Sequence, residues 1–185
     1  MKRKIVADSS SNLYTLEGIE YTSAALVIST DEKEYRDDAN LDVRQMVDDL
    51  ANYKGRSGTA CPGVGDWIEA FDDADEVFCS TITSNLSGSY NAAMAAKEQY
   101  EEEYPGRKVF VMDSRSTGPE MKLHIDKIKE LISADKDFDT ICRELIEYKK
   151  VTSLQFCLEN MRNLANNGRV NPAVATIAGM LGIRV

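Results

Sequence analysis

The stretch Glu76-Val77-Phe78-Cys79-Ser80-Thr81-Ile82-Thr83-Ser84-Asn85-Leu86-Ser87-Gly88-Ser89-Tyr90 decides the fold. Val77 to Ile82 has the composition of a central strand. Thr83 to Gly88 is a loop of hydroxyl and amide side chains. A helix is expected from about Ser89 to Tyr100, dissolving into Glu101-Glu102-Glu103 before the breaker Pro105-Gly106. A strand, a polar loop and a helix in that order are one repeat of a parallel α/β sheet.

The same grammar extends in both directions. Ile5 to Ala7 reads as a buried strand ending at Asp8, followed by the capping residues Ser9-Ser10-Ser11-Asn12. Ala24 to Ile28 reads as a second strand, with a short extended piece near Lys33 to Arg36. Asp42 caps a helix whose apolar face is Val43, Met46, Val47 and Leu50. Gly55 to Gly65 is a loop of small residues containing Pro62, and Trp67, Ile68 and Phe71 form one face of the helix after it. Lys108 to Met112 is a further strand closed by Asp113-Ser114. Two helices follow, one carrying Met121, Leu123, Ile125, Ile128, Leu131 and Ile132, and one starting at Asp137 with Phe138, Ile141, Cys142, Leu145 and Ile146 at helical spacing.

Residues 1–150 are therefore expected to form an N-terminal α/β/α domain with a mostly parallel sheet. From Val151 the texture changes. Thr152 to Leu158 alternates as a half-buried strand would, two short helices flank Asn166-Asn167-Gly168-Arg169, and the chain closes on Gly182-Ile183-Arg184-Val185. Residues 151–185 are expected to be the start of a second, incomplete α+β domain.

Composition narrows the function. With 22 Lys+Arg against 31 Asp+Glu in 185 residues the net charge is −9, which argues against non-specific binding to nucleic acid or anionic membrane. The apolar run Ile5-Val6-Ala7 is too short for a signal-peptide core, and Ala24 to Ile28 is far too short for a membrane span. Cys61, Cys79, Cys142 and Cys157 contain no C-x-x-C pair, and His124 is the one histidine, so no zinc or other metal site is expected. Cys79, Cys142 and Cys157 are expected as buried thiols and His124 on a helix surface. A reducing, cytoplasmic setting follows.

Three loops after predicted strands carry hydroxyls: Asp8-Ser9-Ser10-Ser11, Ser84 to Gly88, and Asp113-Ser114-Arg115-Ser116. At the carboxyl edge of a parallel sheet such loops aim hydroxyls and helix N-terminal N–H groups at an anion, although each can also simply cap its helix. Gly63-Val64-Gly65 is not a dinucleotide fingerprint, because Ile68 stands where the third glycine belongs. A Cys61–His124 dyad is disfavoured by the helix around His124. Asp8 reads as an N-cap, with no second carboxylate spaced to make it a nucleophile or metal ligand.

Taken in order, four motifs resemble the DegV family of bacterial fatty-acid-binding proteins. Val6-Ala7-Asp8-Ser9-Ser10-Ser11-Asn12-Leu13 is similar to the family's opening V-D-S-T-S/A-D-L. Thr59-Ala60-Cys61-Pro62-Gly63 stands in place of T-S-Q-P-S. Ile82 to Tyr90 resembles I-S-S-x-L-S-G-T-Y, and Asn167-Gly168-Arg169-Val170 resembles the end of L-x-x-G-G-R-I/V.

The resemblance implies a carrier of lipid metabolism without catalytic residues or cofactor. Its ligand is a long-chain fatty acid lying between two domains, whose carboxylate is presented to a separate fatty-acid kinase. Thr59 and Ser87 would donate hydroxyls to the carboxylate, Ala60 and Gly88 would approach it through backbone, and Arg169 would supply positive charge. Asp8, Ser9, Ser10, Pro62, Ser84, Asp113 and Ser114 would support these loops. The second loop hydroxyl of the family is Ala60 here, which removes one donor, and Cys61 and Gly63 replace its Gln and Ser. Family members continue past the position of Val185 into a region that holds a histidine near the carboxylate. The expectation is either a truncated relative or fragment, or a chain whose remaining surface is supplied by a partner, with an exposed strand edge and apolar face that invite association. Two rivals remain open: an enzyme using Asp8, Ser87 and Arg169 on a phosphorylated or carboxylated substrate, and a non-binding remnant acting through protein contacts.

Overall fold

The computed structural model describes residues 1–159 and 161–180. In chain order its elements are β1 (Arg3–Asp8), β2 (Glu20–Ala24), β3 (Val27–Ser29), β4 (Glu34–Arg36), α1 (Val43–Asn52), β5 (Gly58–Ala60) and α2 (Val64–Phe71). There follow β6 (Glu76–Thr81), α3 (Ser89–Glu103), β7 (Lys108–Asp113), α4 (Pro119–Ser133), α5 (Phe138–Lys149), α6 (Arg162–Asn166) and α7 (Pro172–Met180).

β2, β1, β6 and β7 form, in that order, an all-parallel sheet. Successive side chains of a strand face opposite sides, and here each side has its own core. Val6, Val77, Cys79, Val109 and Val111 pack on Trp67, Phe71, Ala93, Ala96 and Tyr100 of α2 and α3. Ile5, Ala7, Phe78 and Met112 pack on Met121, Ile125, Ile128, Ile141 and Leu145 of α4 and α5. Full burial of each large apolar side chain is worth about 1.5–3 kcal/mol. The three-layer α/β/α sandwich therefore follows from the alternation read in the strands and the 3.6-residue stripes read in the helices.

The strand order reverses direction at β1, since β2 lies on one side of it and β6 on the other. In open α/β sheets the crevice beyond the carboxyl ends at such a switch point is the ligand position. Asp8 ends β1 and Ile82 directly follows β6, so both sit at its mouth.

Several expectations are corrected. Ala24 to Ile28 is not one strand: β2 ends at Ala24, Ser9 Oγ accepts the Leu26 N–H at 3.0 Å, and β3 begins at Val27 in a second sheet. That second sheet is antiparallel, in the order β4-β3-β5, and β5 lies inside the stretch read as a loop. Only pairing with β3 makes Gly58-Thr59-Ala60 a strand, because three small residues carry no periodicity. The helix expected to fray at Tyr100 runs to Glu103.

The apolar stripe of α1 has no core to enter, with Val43 and Val47 about half exposed. Thr152 to Leu158 is irregular rather than a strand, and Phe156 is 63% exposed. Alternation alone cannot hold a strand without a hydrogen-bonding neighbour, and none of the described residues provides one. Cys157 is exposed and Cys142 only half-buried, while Cys79 is buried as expected. His124 is fully buried rather than on a helix surface. The ending Gly182-Ile183-Arg184-Val185 lies outside the described residues.

Candidate functional site

The site grows from Asp8. Its side chain is wholly buried, and its carboxylate accepts hydrogen bonds from Ser10 Oγ (2.5 Å), Ser89 Oγ (2.6 Å) and the Ile82 N–H (2.8 Å). Burial pushes the carboxyl above its ordinary range, and the three donors oppose that shift. Ile82 and Ser89 bracket the loop that carries Ser87 and Gly88, so Asp8 clamps both of its ends to β1. From the short 3₁₀ turn Ser9–Ser11 it accepts the Ser10 Oγ bond, and it makes no N-cap bond there.

Around the clamped loop lies a cavity of about 470 Å³. Thr59, Ala60, Ser87, Gly88 and Arg169 all line it, together with Leu26, Cys61, Ile82, Leu86 and Leu164. Five residues drawn from three separate motifs therefore meet at one place. β5 brings Thr59 and Ala60 there through its pairing with Ile28 and Val27 of β3. Gly88 is the N-cap of the fifteen-residue α3, so the positive end of that helix dipole faces the cavity. Its φ of −74° is ordinary, and a Cβ there would stand 3.4 Å from Cys61 Sγ, at van der Waals contact.

The hydrogen bonds give the two hydroxyls a direction. Arg169 Nη2 donates to Thr59 Oγ1 at 2.9 Å, and Arg169 Nε donates to the Leu86 carbonyl at 2.9 Å. The Ser89 N–H donates to Ser87 Oγ at 3.3 Å. With a lone pair of each hydroxyl engaged, the protons of Thr59 and Ser87 are free to serve an acceptor in the cavity. Arg169 thus acts on the cavity through Thr59 while pinning the Leu86–Ser87 loop.

The supporting residues hold loops rather than line this cavity. Ser9 accepts from Leu26, and Ser10 binds Asp8. Pro62 is buried in the turn into α2. Ser84 donates from Oγ (2.6 Å) and from its backbone N–H (3.1 Å) to Asp113. Burial raises the Asp113 carboxyl, but these bonds outweigh it and leave the group below its ordinary range. The Ser114 N–H bonds the Thr81 carbonyl at 3.2 Å, and its Oγ receives the Ser116 N–H at 3.0 Å.

A second cavity of about 640 Å³ adjoins the first, with Leu86 lining both. Ser114, Glu120, Ile146, Lys149, Thr152, Leu154 and Phe156 contribute to its wall. Sequence reading did not find it. Part of its wall, Thr83, Asn85, Leu86 and Ser114 to Ser116, belongs to the loops after β6 and β7 already singled out, but the rest comes from α4, α5 and the irregular segment after it, which no motif links to those loops.

Cys61 and His124 do not meet as a dyad: Cys61 lines the first cavity, while His124 is buried in α4 against Thr152 (3.1 Å). Among the described residues no three His, Cys, Asp or Glu side chains cluster as metal ligands would. No helix among them is long and apolar enough to cross a membrane.

Comparison with known proteins gives the chain its relatives. Residues 2–185 match the family model described as "Uncharacterised protein, DegV family". A DegV domain-containing protein of Streptococcus pneumoniae R6 is 35% identical over 189 residues, covering 100% of this chain and 67% of that protein. A crystal structure of a DegV family protein from Eubacterium eligens, loaded with heptadecanoic acid, superposes with a TM-score of 0.93 at 46% identity, over 99% of this chain and 66% of that one. The Streptococcus pneumoniae Fatty Acid Kinase (Fak) B3 protein loaded with linoleic acid superposes with a TM-score of 0.95 at 36% identity, over 100% of this chain and 67% of that one. The chain thus spans about two thirds of the length of these relatives. With the ordered motifs, the parallel sheet and the family match in agreement, the chain belongs to the DegV family.

Proposed function

We propose that this chain binds a long-chain fatty acid and holds its carboxylate in the cavity between β5 and the start of α3. The observation that carries the reading is the convergence of Thr59, Ala60, Ser87, Gly88 and Arg169 on that single cavity. A carboxylate is acceptor-only and costs several kcal/mol to bury without donors. Two hydroxyl protons, backbone at a helix N-terminus and a nearby guanidinium answer that need. Ala60 offers no hydroxyl, so its contribution is backbone only.

The acyl chain would pass Leu86 into the adjoining cavity, toward Ile146, Leu154 and Phe156. Each buried methylene contributes about 0.8 kcal/mol, so the chain supplies most of the affinity and the polar end supplies orientation. In this reading the protein is a cytoplasmic carrier rather than an enzyme, and its bound acid is presented to a fatty-acid kinase. Residues 1–150 are the α/β domain and 151–185 the start of a second domain. The exposed Val151, Phe156 and Val174 are the surface for any self-association. An enzyme using Asp8 is disfavoured, because its carboxylate is buried and filled with donors.

The test is mass spectrometry of an organic extract of the purified, denatured protein, followed by titration with oleic acid. Near-stoichiometric fatty acid is expected. Thr59→Val or Ser87→Ala removes one charge-assisted hydrogen bond, about 1.5–3 kcal/mol, and should weaken binding about 10- to 150-fold. An empty extract with no uptake of added acid would overturn the reading.

A further inference from the structure

The segment that carries Arg169 has little apolar anchorage. Of the side chains described from 151 to 176, Met161 alone is buried, and Val151 and Phe156 are 80% and 63% exposed. Where burial is sparse, polar anchors decide position. One anchor is Arg169 itself, on Thr59 and Leu86. Another stands where the segment leaves α5. Thr152 Oγ1 donates to Glu120 Oε1 at 2.7 Å, and His124 Nε2 lies 3.1 Å from the same hydroxyl. A hydroxyl has one proton; with the carboxylate taking it, the imidazole must donate from Nε2.

Both Glu120 and His124 are buried, at 6% and 0% exposure, so the network sits in a medium where its bonds are strong and a missing partner is costly. Among the described residues His124 Nδ1 has no hydrogen-bond partner. Two buried polar side chains of α4, reaching out to one threonine of an irregular segment, are placed to hold that segment.

We propose that Glu120, His124 and Thr152 form a clasp that docks the segment after α5 onto α4 and so positions Arg169 over Thr59. The three are positioning residues for the carboxylate site, and this role rests on the fatty-acid reading above. The clasp also forms part of the wall of the second cavity, through Glu120 and Thr152.

A double-mutant cycle on the 185-residue chain tests it, with oleic acid as the probe. Thr152→Val should weaken binding about tenfold, a difference easily resolved in Kd. Thr152→Ser, which keeps the hydroxyl, should restore it. In an Arg169→Ala background Thr152→Val should cost less than about twofold, because residues acting through one another are not additive. Equal losses in both backgrounds, or no loss in either, would overturn the clasp. If the unsubstituted chain takes up no oleic acid, the fatty-acid reading fails, and amide exchange of residues 162–170 in ligand-free protein judges the clasp by itself. Faster exchange in Thr152→Val but not in Thr152→Ser supports it, and unchanged exchange overturns it.

Discussion

Replacing Asp8 tests how the fold builds its site. Asp8→Ala strands the Ile82 N–H, which cannot move because β6 ends one residue before it. A buried, unsatisfied donor costs about 1–3 kcal/mol, and losing the charge-assisted bond from Ser89 adds to that. The buried charge also disappears, which returns part of its desolvation cost. The net expectation is a destabilisation of about 2–4 kcal/mol. For a chain of this length each kcal/mol moves the midpoint about 2–4 °C, so Tm should fall roughly 5–15 °C.

Asp8→Asn separates the two causes. Its carbonyl oxygen can take the place of Oδ2, which receives both Ile82 and Ser89, while its amide faces Ser10 Oγ, a hydroxyl that can turn to accept. That variant should lose only about 1 kcal/mol. Differential scanning calorimetry at neutral pH reads both variants. If Asp8→Asn fell as far as Asp8→Ala, the negative charge rather than the acceptor geometry would be what holds the loop, and the argument above would be refuted.

Two further outcomes follow from the geometry. Gly88→Ala is compatible with φ −74° and should leave Tm within about 2 °C, yet its methyl, in van der Waals contact with Cys61 at the cavity wall, should keep the carboxylate from the Gly88 backbone and weaken oleic acid binding several-fold; unchanged affinity in titration would remove Gly88 from the site. Acid should weaken the fold in the pH range of the clasp. Burial holds the His124 imidazole below its ordinary value of 6.5, with Glu120 facing it and opposing the shift, while Lys149 reinforces it and the ring of Tyr148 packs edge-on. The folded state therefore prefers neutral histidine, so its stability is intact above about pH 6.5 and declines as pH falls through and below that value. Glu120 lies below its ordinary 4.5 and withdraws its own contribution at still lower pH. His124→Asn should flatten the fall of Tm between pH 7 and 5; parallel curves for the two proteins would contradict this.

Sequence alone determined the sandwich. Val6 set against Ile5 and Ala7, and Phe78 set between Val77 and Cys79, announce strands buried on both faces, and the stripes of α4 and α5 announce the layer that covers one of them. These are local periodicities, and burial of one face is a local demand. The five residues proposed for a carboxylate site were also legible through the family resemblance, because motif order survives in the chain whatever its tertiary path.

What only the tertiary structure decided is how separate segments complete one another. Thr59 becomes a strand residue through β3, and Asp8 becomes a clamp through Ile82 and Ser89. Arg169 reaches the cavity through Thr59, and Thr152 finds Glu120 and His124 across an α-helical layer. Each of these is a pairing of hydrogen-bond donor and acceptor distant in sequence, and no periodicity encodes a partner that the chain meets only after it has folded.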